Sequence, residues 1–478
     1  MPDLSAFIAK LGTHFGVLAE SSTQQLTVIC RDTDIAVGDM FLLPCHRGPE
    51  RFYVFRTTQY ANILNREFQM NDIARNKLTM DDSYFSRDLA DEKLIELKGI
   101  ILGYSQRDED TDTWTFYRPR RLPEHLSDVY HVDAGKPEVA EVVRVLLSSQ
   151  LGTPGLHVGE LLAGESSLAS VGIYLPAFAL SHHIGVFGRT GCGKSNLMMV
   201  FLKAILDHNE RVCDQNLSEP KASIFAIDPH NEFWTWHSES GGADGIRGIV
   251  EGYGTDKQAS LVEPFAYLTA KNVSVPLQHQ LVLSRADVTP PDLASIMEFS
   301  EQQVGYCSHV FHTSGERWIQ SVIMANAESG DDEDAAGSYL PGTISAVQRR
   351  LGFLQYGHTR IFTRFDPGAG LNYDSMLPDI ICALEHGRVL ILDTTLMSEL
   401  EQFLVSTVVA RVLFSLRKAL RSAESVATLE QEIRLALSND VSNGKVGMRS
   451  LADALIERLE SGQLPYIQGD DLVSSADL

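Results

Sequence analysis

The pattern of hydrophobic and polar positions divides the chain into two kinds of region. From residue 1 to about 150, short apolar runs rich in β-branched and aromatic side chains alternate with turn-forming segments. The runs cover residues 26–30, 40–44, 51–56, 100–104 and 113–117. Because several short strands separated by turns are typical of closed or packed β structures, this region is predicted to form a small β-barrel or sandwich. A polar stretch within it, residues 72–96, is predicted to be a long and partly helical insertion.

Farther along the chain, strand-like and helix-like patterns alternate. After a predicted connector at 155–170, apolar runs without polar alternation at 184–187 and 223–228 predict strands of a parallel sheet that is covered on both faces. Between these runs, apolar residues recur at helical spacing and predict a helix over 195–207. Its apolar residues are Leu197, Val200, Phe201 and Ile205. The alternation predicts an α/β core.

Residues 256–377 interrupt that alternation, and their helically spaced apolar positions predict a helical insertion. Its first clear helix is expected at Pro290, where proline and an acid mark a first turn, and another is expected at 343–354. The strand pattern returns at 388–392, and a long amphipathic helix follows at 399–420. The predicted segments are an N-terminal barrel at 1–155, a first core part at 156–255, the insertion at 256–377, a second core part at 378–420 and a mostly helical tail at 421–478.

Length and composition limit the possible classes of protein. A chain of 478 residues is too long for one hydrophobic core, which favours two or three domains. Its N-terminus lacks the basic start and apolar run of a secretory signal, and no apolar stretch is long enough to span a bilayer. The six cysteines are scattered without a CxxC pair, which argues against a zinc site or a disulfide scaffold and favours the reducing cytoplasm.

The net charge of −23 excludes a globally basic nucleic-acid-binding protein. Two interpretations remain. One is an acidic protein without a nucleic-acid partner, and the other is a protein that concentrates its basic residues on one surface, such as the lumen of a ring. Electrostatic steering depends on local potential, so the net charge does not decide between them.

One glycine-rich segment carries recognisable chemistry. Residues 188–195 fit the pattern G-x-x-x-x-G-K-[ST], with Gly191 as an additional glycine. The glycines allow successive backbone N–H groups to face phosphate oxygens, and the following helix adds its N-terminal dipole. Lys194 then supplies a positive charge for the β- and γ-phosphates, and Ser195 supplies a hydroxyl for Mg²⁺. A predicted strand before this loop and a helix after it favour a site for ATP and Mg²⁺ over a chance match.

Acidic residues follow two of the predicted strands. Asp228 and Glu232 lie at or after the end of one strand, where ligands bind in open α/β sheets, so either is a candidate to face Mg²⁺ or the attacking water. The alternative for Asp228 is a turn in which its carboxylate bonds nearby backbone, and both interpretations stay open. Asp393 resembles a magnesium-binding acid at a strand end, but Thr394 follows it where a catalytic acid would stand.

Several arginines are candidates to reach the γ-phosphate of a neighbouring subunit, and the sequence does not select among them. They are Arg349, Arg350, Arg360, Arg364 and Arg388. The alternative for each is a solvated surface or a weak ion pair. Arg189, inside the glycine-rich loop, is expected to contact a phosphate or a neighbouring strand.

Together these segments resemble HerA-type ATPases, in the HerA/FtsK branch of the P-loop NTPases. The specific features are Asn196 directly after the loop and the sequence Asp-Pro-His-Asn-Glu-Phe at 228–233, which is similar to the D-P-H-G-E-Y motif of that family. Asn231 replaces the usual glycine of the motif, and Phe233 replaces the tyrosine. The resemblance extends from about residue 15 to 420 and implies a P-loop NTPase core with a RecA-like parallel sheet.

The resemblance implies a homo-hexameric ring that moves double-stranded DNA through its lumen, with a nuclease or another effector, in DNA repair or antiviral defence. Only the lumen of such a ring would have to be basic. The candidate nucleotide-binding residues are Gly188, Arg189, Thr190, Gly191, Cys192, Gly193, Lys194, Ser195 and Asn196. Lys194 and Glu232 are assigned to catalysis, and Ser195 and Asp228 to the metal.

One element of the family pattern is missing from the sequence. Members carry a further strand after the long helix that ends in paired acids, and no such strand follows Leu420; the acids of Gly469-Asp470-Asp471 lack a preceding strand. The chain is therefore expected to be the N-terminal portion of a longer protein or a degenerate relative, which binds ATP better than it hydrolyses it. The alternative to a motor is a nucleotide-binding scaffold that regulates an effector. A metabolic kinase or GTPase is disfavoured, because no N-K-x-D motif is present.

Overall fold

The computed structural model divides into two compact units, residues 1–185 and 186–478. The described residues are 4–12, 14–22, 25–31, 34–45, 49–63, 94–108, 110–151, 155–215, 221–233, 265–271, 278–325, 339–356, 359, 361–363, 373–437, 449–468 and 471–473. Most of the predicted insertion at 72–96 lies outside these residues, and its last three residues belong to a strand.

The first unit is built on antiparallel strands. Seven strands form one sheet in the order β2-β1-β7-β3-β4-β5-β6, and β5 also pairs with β2, so six strands close into a barrel and β6 flanks it. The strands are β1 (Gly16–Ser21), β2 (Gln25–Cys30), β3 (Met40–Cys45), β4 (Arg51–Ile63), β5 (Leu94–Asp108), β6 (Thr113–Tyr117) and β7 (Asp128–His131). The prediction of a small barrel is confirmed.

Strand β3 separates two hydrophobic cores of this unit. Successive side chains of a strand point to opposite faces, so Phe41 and Leu43 belong to one core and Met40 and Leu42 to the other. The second core also contains buried residues of three helices, which are α1 (Leu4–Leu11), α2 (Pro137–Leu146) and α3 (Ser148–Leu151). All six residues of β3 are therefore buried, although the strand is antiparallel to its neighbours.

The predicted connector at 155–170 is wrong, because this segment forms most of a hairpin. Strands β8 (Leu156–Ala163) and β9 (Ser166–Leu175) pair antiparallel, with Ala163 opposite Ser166. Gly164 has a φ of 62° and allows the two-residue turn between them. The Gly, Ser and Glu content that resembles a linker lies partly in this turn, and the apolar Leu168 is fully buried.

The second unit contains a four-stranded parallel sheet in the order β10-β13-β11-β12. Its strands are β10 (Ile224–Asp228), β11 (Phe265–Thr269), β12 (Gln278–Gln280) and β13 (Val389–Asp393). The predicted strands at 223–228 and 388–392 are confirmed. The interpretation of 256–377 as a helical insertion is correct for the described helices of this region but missed two strands, because β11 and β12 also come from it. Strand β12 consists of three polar residues and gives no strand pattern, whereas β11 is as long as β10 and β13 and was missed inside a region of helical spacing.

Nine described helices accompany this sheet. They are α4 (Lys194–Asp214), α5 (Pro290–Ile296), α6 (Glu301–Ser314), α7 (Trp318–Met324), α8 (Pro341–Tyr356), α9 (Leu377–Glu385), α10 (Glu399–Ser422), α11 (Val426–Leu437) and α12 (Arg449–Glu460). The predicted helices at 195–207, 343–354 and 399–420 are confirmed. The tail is part of the main core, because Leu429 and Leu455 pack in the same cluster as Leu390 of β13. A two-residue pairing of β14 (Ile467–Gln468) with β15 (Asp471–Leu472) follows.

The predicted strand at 184–187 is not a strand in the structure. Residues 183–189 have no regular secondary structure, and Ile184 and Phe187 are 51% and 93% exposed. An apolar run becomes a strand only if it pairs with a neighbour, and Gly185 in its middle weakens strand formation. Within the described part of the chain, β10 pairs only with β13.

Candidate nucleotide-binding site

The glycine-rich segment 188–195 forms a tight turn that leads into α4. Gly191 and Gly193 adopt positive φ values of 82° and 88°, which glycine reaches without steric penalty. Gly188 leaves space for the side chain of Cys192, because a Cβ atom at position 188 would lie 2.2 Å from Sγ of Cys192 and would force that side chain to turn away. The amide of Cys192 donates to the carbonyl of Arg189 at 3.3 Å and closes the turn. The glycines of the motif thus determine the shape of the loop.

Positive charge is concentrated at this turn. Nζ of Lys194 donates to the carbonyl oxygens of Gly188 at 3.1 Å and Arg189 at 2.9 Å, so its side chain folds back over the loop. Helix α4 begins at Lys194, and the first-turn N–H groups of a helix have no intrahelical acceptor. Ser195 and Asn196 are exposed at the same helix end. An ammonium group, a positive helix terminus and an open loop together fit a bound polyphosphate.

Helix α4 is attached to the sheet by one buried side chain. Nδ2 of Asn209 donates to the carbonyls of Ala222 at 2.8 Å and Gly387 at 2.6 Å, and its Oδ1 accepts from the amide of Ala222 at 2.9 Å. Ala222 and Gly387 precede β10 and β13, so this side chain fixes the helix behind the loop to the start of two strands. Sequence inspection missed this role, because a polar residue late in a helix carries no signal of a distant partner.

The buried face of α4 is also shifted from the predicted one. Ile205 is buried as expected, but Leu197, Val200 and Phe201 are only half-buried. The buried apolar residues of the helix are Met199, Leu202, Ala204, Ile205, Leu206 and Val212. The helical spacing of the apolar residues was predicted correctly, but the face of the helix that is buried was not.

Asp228 ends β10 and organises the turn that follows. Its Oδ1 accepts from the amide of Glu232 and its Oδ2 from the amide of Phe233, both at 3.0 Å. Asn231 lies in this turn with a φ of 56°, a left-handed conformation that asparagine tolerates better than most residues. Asparagine therefore serves where the family motif has glycine. The structure shows Asp228 bonding nearby backbone in this turn, as one of the two interpretations expected, and its role as a metal ligand stays a prediction.

Asp393 ends β13 in register with Asp228 on one side and Thr269 on the other. Its carboxylate is buried and accepts from Oγ1 of Thr269 and Nζ of Lys271, both at 3.1 Å. The amide and hydroxyl of Thr395 also donate to it. Burial alone would raise the pKa of Asp393, but the Thr395 bonds and the Lys271 ammonium outweigh it and lower the pKa below its ordinary value.

The remaining predicted residues differ in their surroundings. Glu232 is half-buried, and Arg189, Thr190 and Cys192 are exposed. Arg350 lies over the ring of Phe299, 5.3 Å from its centroid, and donates to the carbonyl of Glu298. Two other candidate arginines, Arg360 and Arg364, lie outside the described residues. Arg349 is exposed and Arg388 is half-buried before β13.

A buried acidic group that the sequence did not reveal lies elsewhere in this unit. Asp287 is fully buried and accepts hydrogen bonds from the hydroxyls of Tyr373 at 2.8 Å and Ser375 at 2.5 Å. Burial raises the pKa of Asp287 to about 6, against the effect of these donors and of Arg411. Arg411 also donates to the carbonyl of Asp287 and to Asp292, each at 2.7 Å. This network connects α10 to α5.

A glycine-shaped phosphate loop that opens a helix beside a parallel sheet defines a nucleotide-binding protein of the P-loop class. The family model described as "Helicase HerA, central domain" matches residues 156–413, more than half of the chain. The chain therefore belongs to the HerA helicase family, whose members are ATPases, and the resemblance inferred from its motifs is confirmed. No curated protein matches the chain in sequence.

Two further observations concern membranes and metals. None of the described helices combines the length and the apolar character needed to cross a bilayer. The described residues also contain no group of three or more His, Cys, Asp or Glu side chains arranged to hold a metal ion.

Proposed function

We propose that the chain is a subunit of an ATP-driven translocase of double-stranded DNA. The observation that carries the proposal is the phosphate loop, in which Gly191 and Gly193 have positive φ values and Lys194 folds back over the loop, an arrangement that suits a bound triphosphate. Membership of the HerA helicase family supports the coupling of ATP to DNA. The proposal includes a homo-hexamer in the cytoplasm, with duplex DNA in the ring lumen and a nuclease or defence effector as partner.

The loop residues divide the work of binding. The amides from 189 to 195 and the ammonium of Lys194 hold the phosphates, and the hydroxyl of Ser195 is a ligand for Mg²⁺. Bound Mg²⁺ neutralises charge on the β- and γ-phosphates. Asp228 is proposed for the metal shell, since the two amides that bond it also fix its orientation. Glu232, next to the left-handed Asn231, is proposed to orient the attacking water.

The test is ATP hydrolysis with and without duplex DNA. The wild-type chain is expected to hydrolyse ATP faster when DNA is added, and Lys194→Ala is expected to abolish both rates. Lys203→Ala is the matched control, because Lys203 is an exposed lysine on the same helix. Hydrolysis that is indifferent to DNA would overturn the motor, and ATP affinity unchanged in Lys194→Ala would overturn the assignment of the loop.

Exposed aromatic residues on α10 support self-assembly. Phe403 and Phe414 are 53% and 74% exposed. They are eleven residues apart, so they lie on the same side of the helix, about 16 Å from each other. Aromatic residues are enriched at protein interfaces, so this side of the helix is a candidate contact between subunits. The double variant Phe403→Ser/Phe414→Ser is expected to reduce the oligomer mass seen by light scattering, whereas an unchanged mass would exclude this face.

A second candidate function is a nucleotide-binding scaffold that recruits or regulates an effector without acting as a motor. It is favoured by the state of Asp393, whose carboxylate is already engaged by Thr269, Lys271 and Thr395. An acid with those partners is poorly placed to activate water. ATP-dependent assembly without repeated turnover would support the scaffold, and sustained multiple turnover would exclude it.

A further inference from the structure

An arginine-rich run leaves the barrel at the end of β6. Arg118, Arg120 and Arg121 are all exposed, and among the described residues none of their guanidinium groups has an ion pair or hydrogen bond. The neighbouring strand offers a contrast, because Arg107 of β5 pairs with Glu50 at 2.9 Å and with Asp112 at 2.6 Å. With respect to the described residues, the three arginines are thus free cations in a chain whose net charge is −23.

The arginine run, residues 118–121, is held against the barrel. Just after it, the carbonyl of Leu122 accepts from the hydroxyl of Tyr53 at 3.2 Å. Just before it, Tyr117 stacks on Tyr104 with 5.5 Å between ring centroids. Pro119 fixes one backbone dihedral within the run. The guanidinium groups are therefore presented from an anchored segment, which lowers the entropy lost when they bind a partner.

We infer that the arginine run binds the phosphate backbone of double-stranded DNA. This inference rests on the proposed function and names a DNA-contacting surface on the barrel unit. An acidic chain repels DNA over most of its surface, so three exposed cations within four residues, with no partner in the described part of the chain, provide a place where the duplex approaches. Arginine matches phosphate with two parallel hydrogen bonds. Contacts of this kind carry no sequence preference, as a translocase requires.

The test measures the affinity of the full chain for a fluorescent duplex of mixed sequence at several salt concentrations. The variant Arg118→Glu/Arg120→Glu/Arg121→Glu is expected to bind at least about tenfold more weakly at low salt. The slope of log affinity against log salt is expected to fall by about 2 to 3, one for each lost phosphate contact. The variant with lysine at all three positions is expected to keep most of that slope.

The matched control is Lys136→Glu/Arg144→Glu/Lys203→Glu, which changes the net charge equally at three dispersed exposed positions. This control is expected to keep a slope near the wild-type value, and ATP affinity in all variants verifies folding. Equal loss in the control and the arginine variant, or unchanged affinity in the arginine variant, would overturn the inference and leave a protein partner for the run. A wild-type chain that binds no duplex would instead overturn the proposed function.

Discussion

The phosphate loop and the acidic strand ends of the same unit are built in opposite ways. The loop is exposed, and its own residues determine its shape through two glycines with positive φ and the bonds from Lys194 to loop carbonyls. Asp228 and Asp393 are buried, and their carboxylates are surrounded by donors. The loop suits an external anion, whereas the carboxylates of the two acids hold neighbouring parts of the fold in place. A substitution in the loop should therefore act on nucleotide affinity, and a substitution of either acid should also act on stability.

The largest effect is expected for Asp228→Ala. The substitution leaves the amides of Glu232 and Phe233 without their acceptor, and the free energy of unfolding should fall by about 2 kcal/mol in urea denaturation. Asp228→Asn keeps one acceptor and should lose less. If the carboxylate serves the turn alone, Asp228→Asn will retain the Mg²⁺ dependence of ATP affinity. A selective loss of that dependence would show that the Asp228 carboxylate contributes to Mg²⁺ binding at the nucleotide site.

Gly193→Ala tests the loop itself. No atom lies within 4 Å of the added Cβ, so the substitution acts only through the φ of 88°, and ATP affinity should fall about tenfold. Gly342→Ala is the control, because Gly342 also has free space but lies in helix α8 with ordinary φ. Titration with a fluorescent ATP analogue measures both variants. Equal affinities would mean that the left-handed conformation is not needed for binding.

Asp287 is a buried acid that lies away from the phosphate loop and has a raised pKa. Its pKa is raised from the ordinary value of 3.8 to about 6 in the folded state. At a pH between these two values, the folded state therefore keeps a proton that the unfolded state has released. The contribution to stability therefore grows as the pH falls, by about 1.3 kcal/mol between pH 7 and pH 5. Urea unfolding at both pH values should show that the wild type gains more stability than Asp287→Asn between pH 7 and pH 5, by about this increment. The same increment in both proteins would contradict the assignment.

The smallest effect is expected for Lys271→Met. The ion pair with Asp393 is 3.1 Å long, but the lysine is 42% exposed, so its loss should cost about 0.5–1 kcal/mol at pH 7. A lowered pKa stabilises the fold above the unfolded-state pKa and loses that effect as the pH falls, so the cost should shrink in acid. Lys271→Arg should retain the wild-type stability. A cost that persists unchanged at low pH would argue for lost packing instead of lost charge.

The sequence predicted local features better than long-range ones. The loop was identified because eight adjacent residues encode both its conformation and its chemistry. The partners of Asp393 were not identified, because Thr269 and Lys271 are more than a hundred residues away in the sequence. They also lie at or just after the end of a five-residue strand inside a region with helical spacing. The run at 184–187 shows the converse error. Its composition favours a strand, but composition does not supply a pairing partner.

Strand β3 gives the barrel unit a property that neither of its cores has alone. Met40 and Leu42 pack in one core, and Phe41 and Leu43 pack in the other. The six residues of β3 therefore form a wall that the two cores share. A change that weakens packing in one core moves β3 and so weakens packing in the other core. The barrel and its covering helices should consequently melt in a single cooperative transition, and a substitution on one side of this partition should be felt on the other.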